Sequence, residues 1–419
     1  MIYDVIIVGA GASGLYAAAQ LADMTNEYRS THVFSVLLLE KTKRCGTKLL
    51  MSGAGQCNLT HGGSIKDFIE HYGEHGKRIR SSLYGHSNDA VMDFFERSGV
   101  HLFEREDGKV FPKSLSAAEI KDTLLNKISK AGFEIKSEAA VSNISDKDGT
   151  YLVETSESSY NCRSLIISTG GCSYASSGSD GSMFAVLEKL GLEIVSPTAA
   201  LVPVHVQNYP YSELSGISFE NAVLKLHGRK NVCGALLLTH NCFSGPLILD
   251  NSRYIGTGDN LTLSYIGDVD TSLLTKQLKN AAAGNKKEIL NFICDFLSSN
   301  YVALPKRFTE FLITRAANIC SLNISGMKAA SAPGKFFETI ARLLTSDSFS
   351  ASGKGSFNIA MATAGGVSLD EISTKTMETK KYPHLFIIGE CLDVDGDTGG
   401  YNLQFAFSSA FAAANSIIK

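Results

Sequence analysis

The residues best suited to chemistry stand at the start of the chain. Gly9, Gly11 and Gly14 are spaced Gly-x-Gly-x-x-Gly, and an acidic residue, Glu40, comes 26 positions after Gly14 (40 − 14). That spacing suits a phosphate-binding turn. The first glycine permits the tight turn, the second lets backbone approach a pyrophosphate, and the third allows close helix–strand packing. Ala12 and Ser13 then open a helix whose first N–H groups and positive dipole end face the phosphates. A carboxylate at Glu40 can accept ribose hydroxyls, and its charge disfavours a 2′-phosphate. A glycine turn can also merely pack a buried α/β unit. The context favours a dinucleotide, FAD or NAD rather than NADP: a β-branched run, Tyr3–Val8, precedes the turn, an Ala-rich stretch, Ser13–Ala22, comes after it, and Val33–Leu39 leads into Glu40.

The segment after Glu40 narrows the choice. Residues 41–61 read KTKRCGTKLLMSGAGQCNLTH, a loop rich in small residues that can run along an extended diphosphate. Lys48-Leu49-Leu50, Ser52-Gly53, Gly55 and Cys57-Asn58 resemble the aminoacetone-oxidase-like FAD-binding proteins of the BaiN and YhiN type. Near the other end, Gly365-Gly366-Val367, Leu385–Gly389, Glu390, Leu392–Gly396 and Thr398-Gly399-Gly400-Tyr401-Asn402-Leu403-Gln404 resemble that family's closing signature. Phe103–Pro112 and Leu236–Pro246 are similar to further family segments, and the likeness thins between Thr271 and Ser352. Gln56 departs from the pattern, which has Arg there. If that Arg meets an anionic group, this chain lacks a fixed charge and its substrate is less acidic. The resemblance implies bound FAD, contacted by the turn residues and Glu40, by Lys41, Thr47 and Lys48, by Val141, Thr169 and Gly170, and by Gly389, Glu390, Asp397, Gly400, Asn402 and Leu403. It also implies that the helix opened by Gly400–Leu403 faces the flavin, where negative charge develops on reduction.

These residues need elements to position them. The first forty residues predict a β-α-β unit with a parallel sheet. Helices are expected near Ser87–Ser98 and Ser116–Ala131. A strand pair, Phe133–Val141 with Tyr151–Thr155, is expected across an Asp146-Lys147-Asp148-Gly149 turn, and a buried strand, Leu165–Ser168, closes on Thr169-Gly170-Gly171. From Leu201 to Leu263 strand-like runs alternate, from Thr271 to Thr345 the pattern is helical, and Leu385–Ile388 with Asn402–Ile418 returns to strand and helix. The expected fold is α/β: a Rossmann-like FAD-binding domain of the two-dinucleotide-binding-domain flavoprotein type. It is assembled from residues 1–190 and 354–419, with a β-rich subdomain (191–270) and a helical subdomain (271–353) inserted.

Composition excludes several classes. With 419 residues, 44% hydrophobic and 19% charged, the chain is ordinary globular protein, and a net charge of −3 argues against a dedicated nucleic-acid binder. Nine cysteines with no C-x-x-C pair point to reduced thiols in a cytoplasmic protein and exclude a redox-disulfide flavin reductase and a cysteine zinc site. No membrane span is expected. Asp393, Asp395 and Asp397 alternate like a metal loop but lack its later Glu, so no metal is expected. His240 and Tyr401 are candidates for proton transfer, against plain roles in loop bonding and ring packing; Cys57 would be reactive only with a depressed pKa. The expected activity is FAD-dependent hydride transfer to or from a small or medium organic substrate. The resemblance implies amine oxidation or NAD(P)H-linked reduction of an unsaturated ketone. With only one dinucleotide fingerprint, NAD(P)H would be a transient donor. A flavoprotein acting on nucleic acid and a non-catalytic flavin binder are the alternatives.

Overall fold

A computed structural model describes residues 1–27, 34–147 and 149–419. The chain forms two compact units, Met1–Ala200 with Ser356–Lys419, and Leu201–Gly355.

The first unit is organised by the N-terminal β-α-β unit. Ile2–Val8 is buried along all but its first residue, as a central parallel strand must be. It pairs in parallel with Val36–Leu39 on one side and Ser159–Ile167 on the other. The full sheet has seven strands, in the order 134–136, 36–39, 2–8, 159–167, 150–155, 141–147, with Leu385–Ile387 also paired in parallel to the end of 159–167. The helix Ala12–Glu27 packs on this sheet, and the C-terminal helix Tyr401–Ile418 packs against that helix within the same core. Tyr16 sits between Phe94 and Phe407, at ring-centroid distances of 4.6 Å each, and all three are buried. Burying each such side chain contributes roughly 1.5–3 kcal/mol.

Two expectations are corrected here. The fingerprint helix runs to Glu27, so Asp23–Glu27 belongs to it and not to a long loop; residues 28–33, including Val33, lie outside the described residues. The stretch Phe133–Val141 is not one strand. Glu134–Lys136 pairs in parallel with Val36–Leu39, and the hairpin partner of Thr150–Thr155 is Val141–Lys147. The break falls where Glu138 takes a left-handed φ of 57° and its N–H turns to the Thr42 carbonyl. Asp148 of the expected turn is outside the described residues.

In the second unit, six strands close a barrel in the order 204–206, 243–244, 232–238, 218–226, 260–264, 347–354. Helices Thr271–Ala282, Ile289–Asn300, Lys306–Cys320 and Gly334–Thr345 lie in the sequence between its last two strands. The expectation of a β-rich segment ending near residue 270 therefore differs from the structure: Asp347–Lys354, beyond the helices, completes the barrel and places both in one unit. Asp347 opens that strand, 1% exposed. It accepts hydrogen bonds from Tyr211, from Tyr265 (3.2 Å) and from the Arg315 guanidinium (2.8 Å) on helix Lys306–Cys320. A buried carboxylate needs such partners, and here they tie helix to barrel.

Candidate active site

The three fingerprint glycines serve different needs. A Cβ on Gly9 would stand 2.6 Å from the Ser168 carbonyl oxygen, and one on Gly14 would stand 2.0 Å from the Gly9 carbonyl oxygen. Those two glycines are required by the chain's own packing. A Cβ on Gly11 would meet nothing within 4 Å. The chain's own packing sets no requirement for glycine there, and the bare backbone is open to the approach of a pyrophosphate. Ala12, Ser13 and Gly14 form the first turn of the helix, so their N–H groups lack intrahelical acceptors. Ser13 packs on Gly389, whose added Cβ would lie 2.7 Å from Ser13 Oγ, and the Gly389 N–H donates to Ser409 Oγ at 3.0 Å. The two ends of the chain thus meet at the fingerprint turn. Thr169 lies beside Cys391 (3.8 Å to Sγ), and Gly170 turns with φ 74° against Ser179.

Glu40 is 8% exposed, directly after Val36–Leu39. Its Oε2 accepts the Ala10 N–H at 2.9 Å; its Oε1 accepts the Thr42 N–H and hydroxyl, each at 2.8 Å. A carboxylate has about four lone-pair positions, so these three donors leave one on Oε2. Val141 comes two residues after Ala139, whose N–H donates to the Glu40 carbonyl at 2.8 Å. Lys41 pairs with Asp180 on the surface, and Thr47 bonds the Arg44 carbonyl at 3.1 Å, opening the short helix Thr47–Met51.

Lys48, on that helix, forms an ion pair with Glu390, both largely buried. Ser173 Oγ lies 2.6 Å from Lys48 Nζ and donates to Glu390 Oε1 at 2.7 Å, and the Thr363 N–H donates to the same oxygen at 2.8 Å. Thr363 Oγ1 in turn accepts the N–H groups of Cys172 and Ser173, at 2.8 and 3.1 Å. Residues from three separate segments thus converge on the Glu390 carboxylate. Ser173 and Thr363 were missed by sequence reasoning; their only local signal is proximity to Thr169-Gly170-Gly171 and Gly365-Gly366.

The loop after Lys48 is strained. Gly53, Ala54, Gly55 and Cys57 all take positive φ, of 55°, 55°, 87° and 60°. For Ala and Cys this costs on the order of 1–3 kcal/mol each, and such strain concentrates at functional sites. Asn58 Oδ1, at the end of the loop, is buried without a hydrogen-bond partner among the described residues. Gln56 accepts a hydrogen bond from Arg105 Nη2 at 2.7 Å, and the Arg105 guanidinium lies over the Phe111 ring, 3.9 Å from its centroid. A cation therefore stands beside Gln56, supplied by the hairpin that joins Leu102–Glu104 to Lys109–Pro112.

The closing signature builds a second turn. Gly400, φ 101°, caps the helix Tyr401–Ile418, and an added Cβ would stand 2.6 Å from the Thr60 carbonyl oxygen. The Asn402 side chain staples the preceding loop, accepting the Gly396 N–H (2.9 Å) and donating to the Gly396 carbonyl (2.8 Å). Leu403 continues the helix. Asp393 accepts the Gly365 N–H at 2.9 Å, and Asp397 Oδ2 lies 3.1 Å from His71 Nδ1. Tyr401 is buried with its ring stacked on His71 (4.0 Å) and His61 (5.3 Å). His240 lies exposed in a bend of the second unit. Burial pushes the Cys57 and Cys391 thiols up to about 12, the opposite of an activated thiolate. Among the described residues no group of three or more His, Cys, Asp or Glu side chains could hold a metal ion, and no helix is long and apolar enough to cross a membrane.

Residues 3–416 match the HI0933-like protein Rossmann domain family. The chain belongs to that family. It is an FAD-dependent oxidoreductase with the Rossmann-type α/β fold that the sequence predicts. Among its relatives is a ribosomal RNA dihydrouridine synthase of Haemophilus influenzae, 30% identical over 423 residues, covering 99% of this chain and 98% of that protein. A 3-dehydro-bile acid delta(4,6)-reductase of Clostridium scindens is 26% identical over 413 residues, 97% of each chain. In fold, the chain is similar to a 3-ketosteroid delta1-dehydrogenase of Sterolibacterium denitrificans, with a TM-score of 0.52 and 11% identity over 100% of this chain and 99% of that one.

Proposed function

We propose that this flavoenzyme reduces a carbon–carbon double bond conjugated to a carbonyl. The flavin supplies a hydride when reduced. The two relatives named for their reactions support this reading, because both the uracil ring converted to dihydrouridine and an unsaturated steroid ketone present such a bond. The observation that carries FAD itself is the Gly11 cradle, open where a Cβ would stand, flanked by the helix start at Ala12–Gly14 and by Glu40 with one acceptor position left. The remaining cofactor residues are assigned with it: Lys41, Thr47 and Lys48, Val141, Thr169 and Gly170, Gly389, Glu390, Asp397, Gly400, Asn402 and Leu403. Lys48 and Glu390 hold a charged pair at the first turn, Asn402 fixes the loop before the second, and Asn58 Oδ1 offers an unsatisfied acceptor to a bound donor. These residues fit a flavin that is stabilised as an anion on reduction, with the N-terminus of helix Tyr401–Ile418 as the positive group. NAD(P)H serves as a transient donor, consistent with a single fingerprint.

The net charge favours a free organic substrate over nucleic acid; the relative named for ribosomal RNA favours a uracil base within RNA. Anaerobically reduced protein is to be mixed in turn with an unsaturated 3-keto steroid and with ribosomal RNA lacking dihydrouridine. Rapid return of the oxidised flavin spectrum with one acceptor, and formation of its saturated product, identifies the class. Reoxidation by neither acceptor while oxygen reoxidises freely contradicts the proposal.

A further inference from the structure

The reduction needs a proton as well as a hydride, and the groups that could deliver it lie beside the closing signature. His71 belongs to the turn Ile69–Tyr72 and is held in three ways. Its Nδ1 lies 3.1 Å from Asp397 Oδ2, its carbonyl accepts the Asp397 N–H at 2.9 Å, and its ring stacks on Tyr401 at 4.0 Å and 14°. Tyr72, next in the chain, donates its hydroxyl to the Tyr401 carbonyl at 2.8 Å, docking the whole turn on the loop that ends in Gly399-Gly400. The titratable groups packed on the imidazole are therefore Asp397 from the loop and Tyr401 from the helix, with His61 on the far face of Tyr401 at 5.3 Å.

Nδ1 is committed to the carboxylate. Nε2 points to the other side of the ring and has no protein partner among the described residues, and the side chain is 38% exposed. An imidazole with one nitrogen fixed on a carboxylate and the other presented outward is the arrangement of a general acid. Ring stacking, backbone clamp and carboxylate together fix the imidazole far more firmly than an incidental surface histidine requires.

We propose that His71, oriented by Asp397, is the proton donor of the reaction; the inference rests on conjugated reduction being the activity. For the step to balance, a hydride carrying two electrons, which a reduced flavin would supply, would bond to the carbon β to the carbonyl. The π pair of the double bond moves to the α carbon. The Nε2–H bond of the protonated His71 breaks and the α C–H bond forms. The ring is left neutral, its Nδ1–H still donating to the Asp397 carboxylate, and solvent reprotonates Nε2. A dihydronicotinamide restores the reduced flavin.

His71→Asn keeps a donor at the Nδ1 position but has no second nitrogen. It is expected to retain flavin and to be reduced by dihydronicotinamide at the wild-type rate, while transfer to the unsaturated substrate slows by roughly 10²–10⁴-fold, the range of general-acid catalysis. A readout independent of turnover is the ¹⁵N spectrum of the histidine-labelled protein. The neutral His71 ring is expected as the Nδ1–H tautomer, and Asp397→Asn is expected to move it toward Nε2–H. Wild-type transfer rates in His71→Asn overturn the proposal, as does a neutral ring already protonated at Nε2. Loss of flavin from His71→Asn with normal transfer after reloading shows a purely structural clamp and also overturns it. A wild-type protein that reduces no conjugated substrate refutes the underlying activity, a result distinct from any failure confined to the variants.

Discussion

Alanine at Gly11 and alanine at Gly14 should have opposite consequences, and the contrast isolates what the ligand requires from what the fold requires. At Gly14 the new methyl would stand 2.0 Å from the Gly9 carbonyl oxygen and 2.6 Å from Ser168 Oγ, so the helix must move off the strand. Overpacking of that kind costs about 1–3 kcal/mol, enough to lower the melting temperature of the flavin-free protein by several degrees. At Gly11 the methyl meets no protein atom within 4 Å, so the flavin-free protein should unfold within about 0.5 kcal/mol of the wild type. The same methyl stands where a pyrophosphate would approach the backbone. Flavin affinity should fall roughly 100-fold, about 2.8 kcal/mol at 1.4 kcal/mol per tenfold. Apoprotein of each variant would be titrated with FAD by fluorescence quenching and melted in parallel. Wild-type affinity in Gly11→Ala would deny Gly11 a pyrophosphate, and an equal loss of flavin-free stability in both variants would deny the contrast.

Three further substitutions probe separate parts of the site and its support. Glu40→Gln replaces a carboxylate that holds three protein donors; it should weaken FAD binding about tenfold and cost about 1–2 kcal/mol in the flavin-free melt, and unchanged affinity would remove Glu40 from the cofactor site. His86 is buried, its Nε2 hydrogen-bonded to the Tyr16 hydroxyl at 2.7 Å, and it is pushed down to about 4 by burial and by Arg97. Because its folded value lies below the unfolded 6.5, its contribution is complete above pH 6.5 and is lost as pH falls toward 4, about 3 kcal/mol in all; in His86→Gln the denaturant-measured loss over that window should shrink by that amount, and an unchanged slope would contradict it. Arg105→Ala removes the cation held by Gln56 and Phe111; KM for an anionic substrate should rise about tenfold with kcat unchanged, while a neutral substrate of the same class is unaffected, and equal effects on both would deny Arg105 a role in charge recognition.

The β-α-β unit is legible in the sequence because its signals are local: a β-branched run, a glycine turn and an Ala-rich helix within forty residues. The stretch Phe133–Val141 shows the limit. Its composition is continuous, and the break is made by the left-handed Glu138 bonding to Thr42, nearly a hundred residues away in sequence. The barrel's last strand, Asp347–Lys354, is hidden for the same reason, since four helices separate it from its partner Asn260–Ser264. At the site, Gly11, Glu40 and the Gly389–Gln404 block stand out by type and spacing. Ser173, Thr363 and His71 do not. Ser173 acquires its chemistry from Glu390, 217 residues away, and His71 from Asp397, 326 residues away. Thr363 reaches Glu390 across only 27 residues, but through its backbone N–H, which no side-chain pattern reveals.

Whether the two ends of this chain build one FAD site can be read from the absorbance spectrum of the purified protein, with the flavin released by heat and identified by chromatography. The expected result is the spectrum of oxidised flavin and release of FAD, close to one per chain, falling sharply in Gly11→Ala. Colourless protein that takes up no FAD on titration, or protein that releases FMN, would contradict a two-ended FAD site.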